Sequence, residues 1–264
     1  MCRSGELILI DSRAVINERA QLADDVTVGP FSIIGPDVKI GEGTVIGPHV
    51  VINGPTNIGK GNRIYQFSSI GEDPQDKKYA SEVTRLEIGD RNVIREFVTM
   101  HRGTLQDRGL TQIGSDNLFM AYTHVAHDCI IGDHVIMANG ASLAGHVHLS
   151  DHAILGGFTL VHQFTQIGQY SFSAMGSAIT QDIPPFVMVG GRPTRPHGIN
   201  SVGMERNGVS PEAVRQIRKA YKILYKMNLK LEDAIEEMEG MAGDSDELST
   251  MVSFLRNVTR GILR

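Results

Sequence analysis

The sequence predicts a mainly β fold, a parallel β-helix built from six-residue repeats, followed by a small C-terminal α-helical domain. Two observations lead to this prediction. An aliphatic residue recurs at every sixth position through most of residues 10–179, often with a glycine after it. Beyond residue 210 the apolar residues recur at the spacing of an α-helix instead. A six-residue period fits neither a helix, with a period near 3.6, nor a meandering sheet, with a period of 2.

The first uninterrupted run of the repeat opens the chain. Three hexapeptides complete one triangular coil of about 18 residues, and neighbouring coils stack about 4.8 Å apart. We expect the aliphatic residue of each repeat to point inward, and the small residue four positions later to fill the narrow interior beside it. The aliphatic positions of this run are Ile10, Ile16, Leu22, Val28, Ile34, Ile40, Ile46, Ile52, Ile58, Ile64 and Ile70.

The repeat is interrupted twice, over residues 71–87 and 101–112, and it fades after Ile179. We interpret both interruptions as loops that leave the solenoid at a corner, and long loops on a regular scaffold often serve a site. Residues 181–199 are rich in proline and glycine, which is typical of an exit segment. The predicted domains are therefore a β-helix over residues 1–199 and a helical domain over residues 200–264.

The C-terminal domain carries a clear helix-start signal. Ser210 stands at a cap position and Pro211 in the first helical turn. Further helices are predicted over Leu231 to Met241 and over Leu248 to Val258. The first helix has a basic face, which is either an ordinary solvated surface or a docking face for an acidic partner. Its residues are Arg215, Arg218, Lys219, Lys222, Lys226 and Lys230.

Composition narrows the class of function. The 264 residues carry a formal net charge of -5 and no basic tract with interleaved aromatic residues, so we expect no nucleic-acid binding. Cys2 and Cys129 form neither a metal-binding spacing nor a disulfide framework, and without a secretory signal they favour a reducing cytoplasm. The apolar run ELILI is too short for a signal peptide or a membrane span, so no stable membrane insertion is expected.

Polar side chains with possible chemistry gather within residues 121–163. With about 18 residues per coil, His127 stacks on Gly145, and Asp128 stacks on His146. None of these residues takes the inward aliphatic position, so we expect one outward-facing patch. The patch also contains His124, His162 and Gln163.

Three hypotheses account for this patch. The histidines are ordinary surface residues, or they bind zinc, for which imidazole is a common ligand. In the third hypothesis they perform acid–base catalysis: a neutral histidine takes a proton from a hydroxyl group, a carboxylate fixes its tautomer, and a backbone N–H receives the developing oxyanion. Gly145 suits the last role, because a glycine lets a thioester carbonyl approach the backbone.

Several stretches of the chain are more distinctive than the repeat. In chain order they read YQFSSIGEDPQDKKY, IREFVTMHRGT, HVAHDC, LAGHV, VHQF and TRGILR. Over nearly its whole length the chain thereby resembles the UDP-N-acetylglucosamine 3-O-acyltransferases that begin lipid A biosynthesis in Gram-negative bacteria. The resemblance implies a left-handed β-helix, a homotrimer with active sites between subunits, and transfer of an R-3-hydroxyacyl chain from acyl carrier protein to the sugar's 3-hydroxyl group.

The resemblance also implies roles for single residues. His127 is the expected general base, Asp128 its orienting partner, and the Gly145 N–H the oxyanion donor. Neither a metal nor a bound cofactor is implied, since the acyl chain arrives on the phosphopantetheine of acyl carrier protein. Positions that resemble substrate-binding residues are Asp76 and Lys78 for the sugar, His124, His146, His162 and Gln163 for the nucleotide-sugar and acyl pocket, and Asn200 and Arg206 near the nucleotide and the phosphopantetheine.

Three residues depart from the family pattern. Val202 replaces an acidic residue and Asn207 replaces a second basic residue, which predicts altered contacts to the uridine or the phosphates. Met175 stands where the family sets acyl-chain length, and a methionine there fills space that a glycine leaves open. Each methylene that no longer fits forfeits about 0.8 kcal/mol of burial, so we expect a chain of roughly ten to twelve carbons.

Other functions compete with O-acyl transfer. The related N-acyltransferase of the same pathway usually has an extra N-terminal domain, which we do not expect here. A 3-amino sugar is a possible acceptor, because a base that serves a hydroxyl group also serves an amine. The remaining alternatives are a zinc enzyme like the γ-class carbonic anhydrases and a trimeric scaffold without catalysis.

Overall fold

The computed structural model describes residues 9–243 and 245–264. Cys2 and the first three residues of the ELILI run lie outside this described part of the chain. Among the helices of the described residues, none is both long enough and apolar enough to cross a membrane. Cys129 is buried with a free thiol, and burial raises the pKa of that thiol to about 12.

The first part of the chain is a solenoid of very short strands. In chain order these are β1 (Val15–Ile16), β2 (Gln21–Leu22), β3 (Thr27–Val28), β4 (Ile33–Ile34), β5 (Val38–Ile40), β6 (Val45–Ile46), β7 (Val51–Ile52), β8 (Thr56–Ile58), β9 (Arg63–Ile64), β10 (Ser69–Glu72), β11 (Arg85–Ile88), β12 (Val93–Ile94), β13 (Thr99–His101), β14 (Leu110–Ile113), β15 (Leu118–Phe119), β16 (His124–Val125), β17 (Ile130–Ile131), β18 (Ile136–Met137), β19 (Ser142–Leu143), β20 (His148–Leu149), β21 (Ile154–Leu155), β22 (Leu160–Val161), β23 (Gln166–Ile167), β24 (Phe172–Ser173), β25 (Ala178–Ile179), β26 (Val187–Gly190) and β27 (Arg195–Ile199).

These strands form three sheets, one for each side of the triangular coil. The sheets have nine, eight and ten strands, and through the solenoid each strand pairs in parallel with the third strand after it. Paired residues such as His124 and Ser142 therefore lie 18 residues apart along the chain. The register confirms the coil length that the six-residue repeat predicts.

The interior of the solenoid is filled by the predicted aliphatic positions. After the interruptions the same spacing continues at Ile88, Ile94 and Met100 and at every sixth residue from Ile113 to Ile167. From Val28 to Ile167 every one of these positions is buried, and Phe119 is the largest side chain among them. The first coil is less covered: Ile10 is 43% exposed, and Ile16 and Leu22 are only partly buried against the core. The repeat therefore predicts the core correctly, apart from the open end of the solenoid.

The two interruptions are shorter than the sequence predicts. The first loop covers residues 73–84 and the second covers 102–109, because strands extend into the predicted ranges of 71–87 and 101–112. Glu72 pairs with His101, and the residues of β11 pair with those of β14. The residues beside each loop depart from the six-residue pattern but still form ladder hydrogen bonds with neighbouring strands. The sequence pattern alone therefore does not show where these strands end.

The predicted exit segment, residues 181–199, is also more regular than expected. Its strands β26 and β27 pair antiparallel and extend the ten-stranded sheet. Pro184 and Pro185 precede β26, and Pro193 lies between the two strands, so these rings remove no hydrogen bond from β26. Pro196 lies within β27, which is the last strand of its sheet and tolerates a missing donor.

The described residues of the C-terminal domain form four helices, α1 (Ser201–Arg206), α2 (Pro211–Lys226), α3 (Leu231–Ala242) and α4 (Asp246–Arg256). Helix α2 begins as predicted, since the Ser210 side chain accepts a hydrogen bond from Ala213 N. Helix α4 begins two residues earlier than predicted, with Ser245 as its cap, and α1 was not predicted. The six predicted basic residues, five on α2 and Lys230 just before α3, are all exposed.

Candidate active site

The site is centred on a coil corner that carries His127 and Asp128. His127 Nδ1 lies 2.9 Å from Asp128 Oδ2, and Asp128 is only 2% exposed. The carboxylate is held in place by Thr104 of the second loop. Thr104 N donates to Asp128 Oδ1 at 2.9 Å, and Thr104 Oγ1 donates to Asp128 Oδ2 at 2.6 Å.

These contacts fix the ionisation of Asp128 and the tautomer of His127. Burial raises the pKa of Asp128, but the hydrogen bonds from His127 and Thr104 outweigh it and the net pKa is lowered. An ionised carboxylate only accepts hydrogen bonds, so Nδ1 of His127 must carry the proton. The lone pair of His127 Nε2 is then free, which is the arrangement that a general base needs.

Gly145 lies one coil beyond His127, and its position beside the histidine is as predicted. A Cβ on Gly145 would stand 2.5 Å from Cε1 of His127. The missing side chain therefore makes room for the imidazole ring, whereas the sequence suggested room for a thioester carbonyl. No residue that the structure describes accepts a hydrogen bond from the Gly145 N–H, so this donor remains available.

A second histidine–carboxylate pair lies beside the first. His146 Nδ1 is 2.9 Å from Asp107 Oδ2, and the ring of His146 stacks on Phe164 with centroids 4.4 Å apart. The rings of His127 and His146 are perpendicular, with centroids 5.1 Å apart. Asp107 and Phe164 were not predicted, although adding 18 to residue 146 gives Phe164, so the coil length places Phe164 next to His146.

A cleft of about 770 Å³ opens beside these two histidines. It is formed by both loops and by three successive corners of the solenoid. The structure thus brings together predicted site residues that lie up to 87 positions apart, from Asp76 to Gln163. The predicted lining residues are Asp76, Lys78, His127, His146 and Gln163, and those not predicted are Gln75, Lys77, Gln106, Asp107 and Phe164.

His124 and His162 do not line this cleft. His124 is half-buried, lies 2.7 Å from Thr99 Oγ1 through Nδ1, and packs edge-on against His101. Burial first, and then the nearby charges of His101 and His127, lower the pKa of His124 to about 4. His124 is therefore neutral at physiological pH. His162 is exposed, with Nδ1 3.1 Å from Gln163 O.

Asn200, Arg206 and Met175 also lie away from the cleft of the single chain. Asn200 caps α1 and donates from its side chain to Tyr170 O at 2.9 Å, which gives it a structural role. Arg206 and Val202 are exposed on α1. Met175 lies at a different corner of the solenoid from His127 and is 80% exposed.

His127, Asp128 and His146 also offer ligand atoms within 4.8 Å of one another, which is close enough to hold a metal ion. However, both oxygens of Asp128 already accept hydrogen bonds from Thr104. The nearer nitrogen of His127 is directed at the same carboxylate. The donor set is therefore better suited to an acid–base pair than to a zinc site.

Comparison with known proteins also favours an acyltransferase over a zinc enzyme. The family model described as UDP-N-acetylglucosamine O-acyltransferase, domain 2, matches residues 182–263. The model for the bacterial transferase hexapeptide matches residues 19–54 and 110–145. The first of these matches begins within the exit segment, before the helical domain that the sequence predicts.

Whole-chain relatives are similar over almost their full length. The acyl-[acyl-carrier-protein]--UDP-N-acetylglucosamine O-acyltransferase of Stutzerimonas stutzeri is 57% identical, over 97% of this chain and 99% of that protein. The enzyme of the same name from Herminiimonas arsenicoxydans is 55% identical, over 97% of this chain and 99% of that protein.

Solved structures are similar over the whole chain as well. LpxA from Acinetobacter baumannii is 47% identical with a TM-score of 0.94, covering 97% of this chain and 100% of that chain. The UDP-N-acetylglucosamine acyltransferase of Francisella novicida is 42% identical with a TM-score of 0.95, covering 97% and 94%. These matches confirm the predicted left-handed parallel β-helix with C-terminal helices, and the chain belongs to the UDP-N-acetylglucosamine O-acyltransferase family.

Proposed function

We propose that this protein transfers an R-3-hydroxyacyl chain from acyl carrier protein to the 3-hydroxyl group of UDP-N-acetylglucosamine, the first step of lipid A biosynthesis. The observation that carries the proposal is the Thr104–Asp128–His127 chain of hydrogen bonds, which ends at a free imidazole nitrogen beside the cleft. The names of relatives that are 57% identical support the same reaction.

Proton removal is the first task of the site. His127 Nε2 takes the proton of the sugar 3-hydroxyl as that oxygen attacks the thioester carbonyl carbon. The resulting imidazolium donates from Nδ1 to the Asp128 carboxylate, which is buried and ionised and therefore stabilises the positive charge.

The tetrahedral intermediate carries a negative charge on the former carbonyl oxygen. The Gly145 N–H, which is free of other partners in the described structure, donates to this oxyanion. When the carbon–sulfur bond breaks, the phosphopantetheine thiolate leaves and receives the proton from the His127 imidazolium. The new ester remains on the sugar, and His127 returns to its neutral form.

The first loop supplies polar groups for the nucleotide sugar. Asp76 and Lys78 line the cleft opposite His127, and the Asp76 carboxylate accepts a hydrogen bond from Lys78 N at 2.9 Å. A carboxylate binds sugar hydroxyl groups and an ammonium group binds their oxygens or a phosphate. We assign His146 and Gln163 to the same pocket, and we assign His124, His162, Asn200 and Arg206 to substrate contacts completed by a neighbouring subunit.

We further propose that the basic face formed by α2 and by Lys230, the cap residue of α3, docks acyl carrier protein. All six basic side chains of this face are exposed. Arg215 pairs with Glu212, and the other five form no salt bridge with any residue that the structure describes. Exposed cations without salt-bridge partners attract an acidic partner and speed its association.

We propose a homotrimer as the assembly. An exposed ladder of aromatic rings runs along one corner of the solenoid, with successive centroids 4.8 to 5.3 Å apart. A continuous apolar surface of this kind is typical of a protein interface. Sedimentation or light scattering of the purified protein tests the assembly, and a monomer at working concentration would overturn it. The rings are those of Phe31, His49, Phe67, Phe97 and Tyr122.

The compartment that we propose is the cytoplasm. This inference rests on the cysteine content of the chain, because Cys129 is a buried free thiol and the sequence offers no disulfide framework. For the acyl group we propose roughly ten to twelve carbons, on the bulk of Met175. No metal or bound cofactor enters the proposed steps.

A mass-resolved transfer assay tests the reaction. The purified protein is mixed with UDP-N-acetylglucosamine and a panel of R-3-hydroxyacyl carrier proteins, and a parallel arm contains the 3-amino analogue of the sugar. We expect an O-acylated product, and transfer to the amine alone would overturn the proposed acceptor. Stoichiometric zinc in the purified protein, with activity lost on chelation, would instead favour the metal hypothesis.

A further inference from the structure

The second loop, residues 102–109, contacts two different parts of the site through its first three residues. We propose that this loop is a bracket that aligns the general base and the sugar-binding loop separately, with Thr104 and Arg102 as positioning residues. The proposal rests on the proposed acyl transfer, and its tests are chosen so that the two can fail independently.

Thr104 holds both oxygens of the carboxylate that orients His127. Its N–H and its hydroxyl group donate to Asp128 Oδ1 and Oδ2, and both Thr104 and Asp128 are buried. Asp128 Oδ2 is also the atom that accepts from His127 Nδ1. The Thr104 hydroxyl therefore fixes the carboxylate plane and shares the same oxygen atom with the general base.

Arg102 makes its contacts with the other loop. Its side chain is 8% exposed and forms an ion pair with Asp73. The guanidinium also donates to the backbone oxygen of Gly71 and, at 3.1 Å, to the hydroxyl group of Tyr79. These partners stand on both sides of Asp76 and Lys78 in the sequence. Arg102 therefore ties the start and the middle of the loop that carries the sugar-binding side chains.

The two sets of contacts have no atom in common, although only Gly103 separates the two residues in the chain. Loss of the Thr104 hydroxyl should alter the chemical step, because it changes the group that orients the base. Loss of the Arg102 guanidinium should weaken the binding of the sugar nucleotide, because Asp76 and Lys78 lose their fixed positions. If the loop had only a general structural role, loss of either side chain would lower both kcat and the affinity for the sugar nucleotide.

Thr104→Val tests the first half of the proposal. We expect kcat to fall about ten- to a hundredfold, while KM for the sugar nucleotide stays within about threefold. Thr104→Ser keeps the hydroxyl group and should restore kcat to near the wild-type value. Thr165→Val is the matched control, because Thr165 is equally buried and no described residue bonds its hydroxyl group, so kcat should not change.

The pH profile separates positioning from structural damage. Without the Thr104 hydroxyl, Asp128 Oδ2 keeps more of its negative charge for His127 and stabilises the imidazolium. The acid limb of kcat/KM should therefore move to higher pH in Thr104→Val and return in Thr104→Ser. An unmoved limb with only a lower amplitude would overturn this role. The ionisable groups facing His127 in the site are Asp128, His146, Asp107, His101, His124, Asp76, Lys77 and Lys78.

Arg102→Met tests the second half. Methionine keeps an unbranched apolar chain but loses every donor, so we expect KM for the sugar nucleotide to rise about tenfold with kcat within about threefold. Asp73→Asn removes the negative charge of the ion pair but keeps an oxygen that can accept from the Tyr79 hydroxyl group, so it should raise KM by a smaller factor even if Arg102→Met folds poorly. An unchanged KM in both variants would overturn the role of Arg102.

The outcomes distinguish the bracket from the reaction itself. If the wild-type protein transfers no acyl chain to the sugar nucleotide, the proposed function fails. If the wild type is active and Thr104→Val matches it in both kcat and pH profile, the bracket alone fails. If each variant lowers kcat and raises KM in parallel, the second loop has a structural role and the bracket is again overturned.

Discussion

The corners of the solenoid and the two inserted loops position catalytic groups in different ways. At the corners, strand register decides which residues meet, and His127 lies over Gly145 because the flanking strands pair 18 residues apart. In the loops, each contact depends on one polar pair, such as Asp107 with His146. A corner contact is therefore enforced by the whole backbone, whereas a loop contact is lost with a single side chain.

Burial adds a second difference between these regions. The Asp128 side chain at the corner is fully buried, whereas that of Asp107 on the second loop is 36% exposed. Exposed ionic pairs contribute about 1 kcal/mol or less, and buried hydrogen bonds to charged groups contribute more. We therefore expect variants at the corner to lose more activity than variants at the exposed end of the loop, with Thr104 an exception because its partner is buried.

The largest effect is expected for His127→Ala. Without the imidazole, nothing removes the hydroxyl proton, so kcat should fall about a thousandfold, which lies within the usual contribution of a general base. Steady-state kinetics with the preferred acyl carrier protein measures this loss. His134→Ala is the control, since His134 is an exposed histidine at another corner and should leave kcat unchanged. A variant that keeps a tenth of the activity would identify another base or a non-catalytic role.

How much of this site the sequence predicts follows from the same comparison. Adding 18 to residue numbers places Gly145 on His127 and His146 on Asp128, because every coil repeats the same backbone. The loops break this rule: the partner of Ile70 is Met100, and the partner of Met100 is Val125. Contacts made by the inserted loops, such as that of Thr104 with Asp128, do not follow the repeat, so the spacing of residues in the sequence cannot predict them.

Site residues on the loops were therefore predicted only where the resemblance to the acyltransferase family implied them. Asp76 and Lys78 lie in the distinctive stretch YQFSSIGEDPQDKKY and were predicted, whereas Asp107 lies in no such stretch and was missed. Arg102 and Thr104 lie in the distinctive stretch IREFVTMHRGT, but their contacts depend on how the two loops fold against each other. The strand β26 in the exit segment was not predicted for a related reason. The prolines on either side of β26 are typical of irregular structure, so the sequence pattern did not indicate a strand between them.

The next largest effect is expected for Gly145→Ala. The added Cβ would stand 2.5 Å from the His127 ring, so the imidazole must move away from Asp128. We expect kcat to fall about a hundredfold with little change in melting temperature, because the backbone of Gly145 suits any residue. Gly157→Ala is the matched control: Gly157 is also the first residue of a corner turn, and its Cβ would meet only an ordinary contact at 3.4 Å. Equal activity in the two variants would show that the ring tolerates displacement.

A smaller effect is expected for Asp107→Ala on the second loop. This change removes the acceptor of His146 but leaves the stacking of His146 on Phe164 intact. An exposed pair of this kind contributes about 1 kcal/mol, so kcat/KM should fall about fivefold. Asp107→Asn retains an acceptor oxygen and should lie between this variant and the wild type. A loss as large as that of Gly145→Ala would contradict the distinction between corner and loop contacts.

The smallest effect on turnover is expected for Met175→Gly, which should change selectivity instead. Met175 is 80% exposed in the single chain, so its side chain is free to contact the acyl group of the proposed reaction. Removing it opens room for additional methylenes, each worth about 0.8 kcal/mol of burial or about fourfold in relative rate. In a competition assay with mixed carrier-linked chains, the variant should shift from roughly ten to twelve carbons toward fourteen, at a similar kcat for its preferred chain. A wild type that already prefers fourteen carbons, or a variant with an unshifted preference, would show that Met175 does not limit the groove.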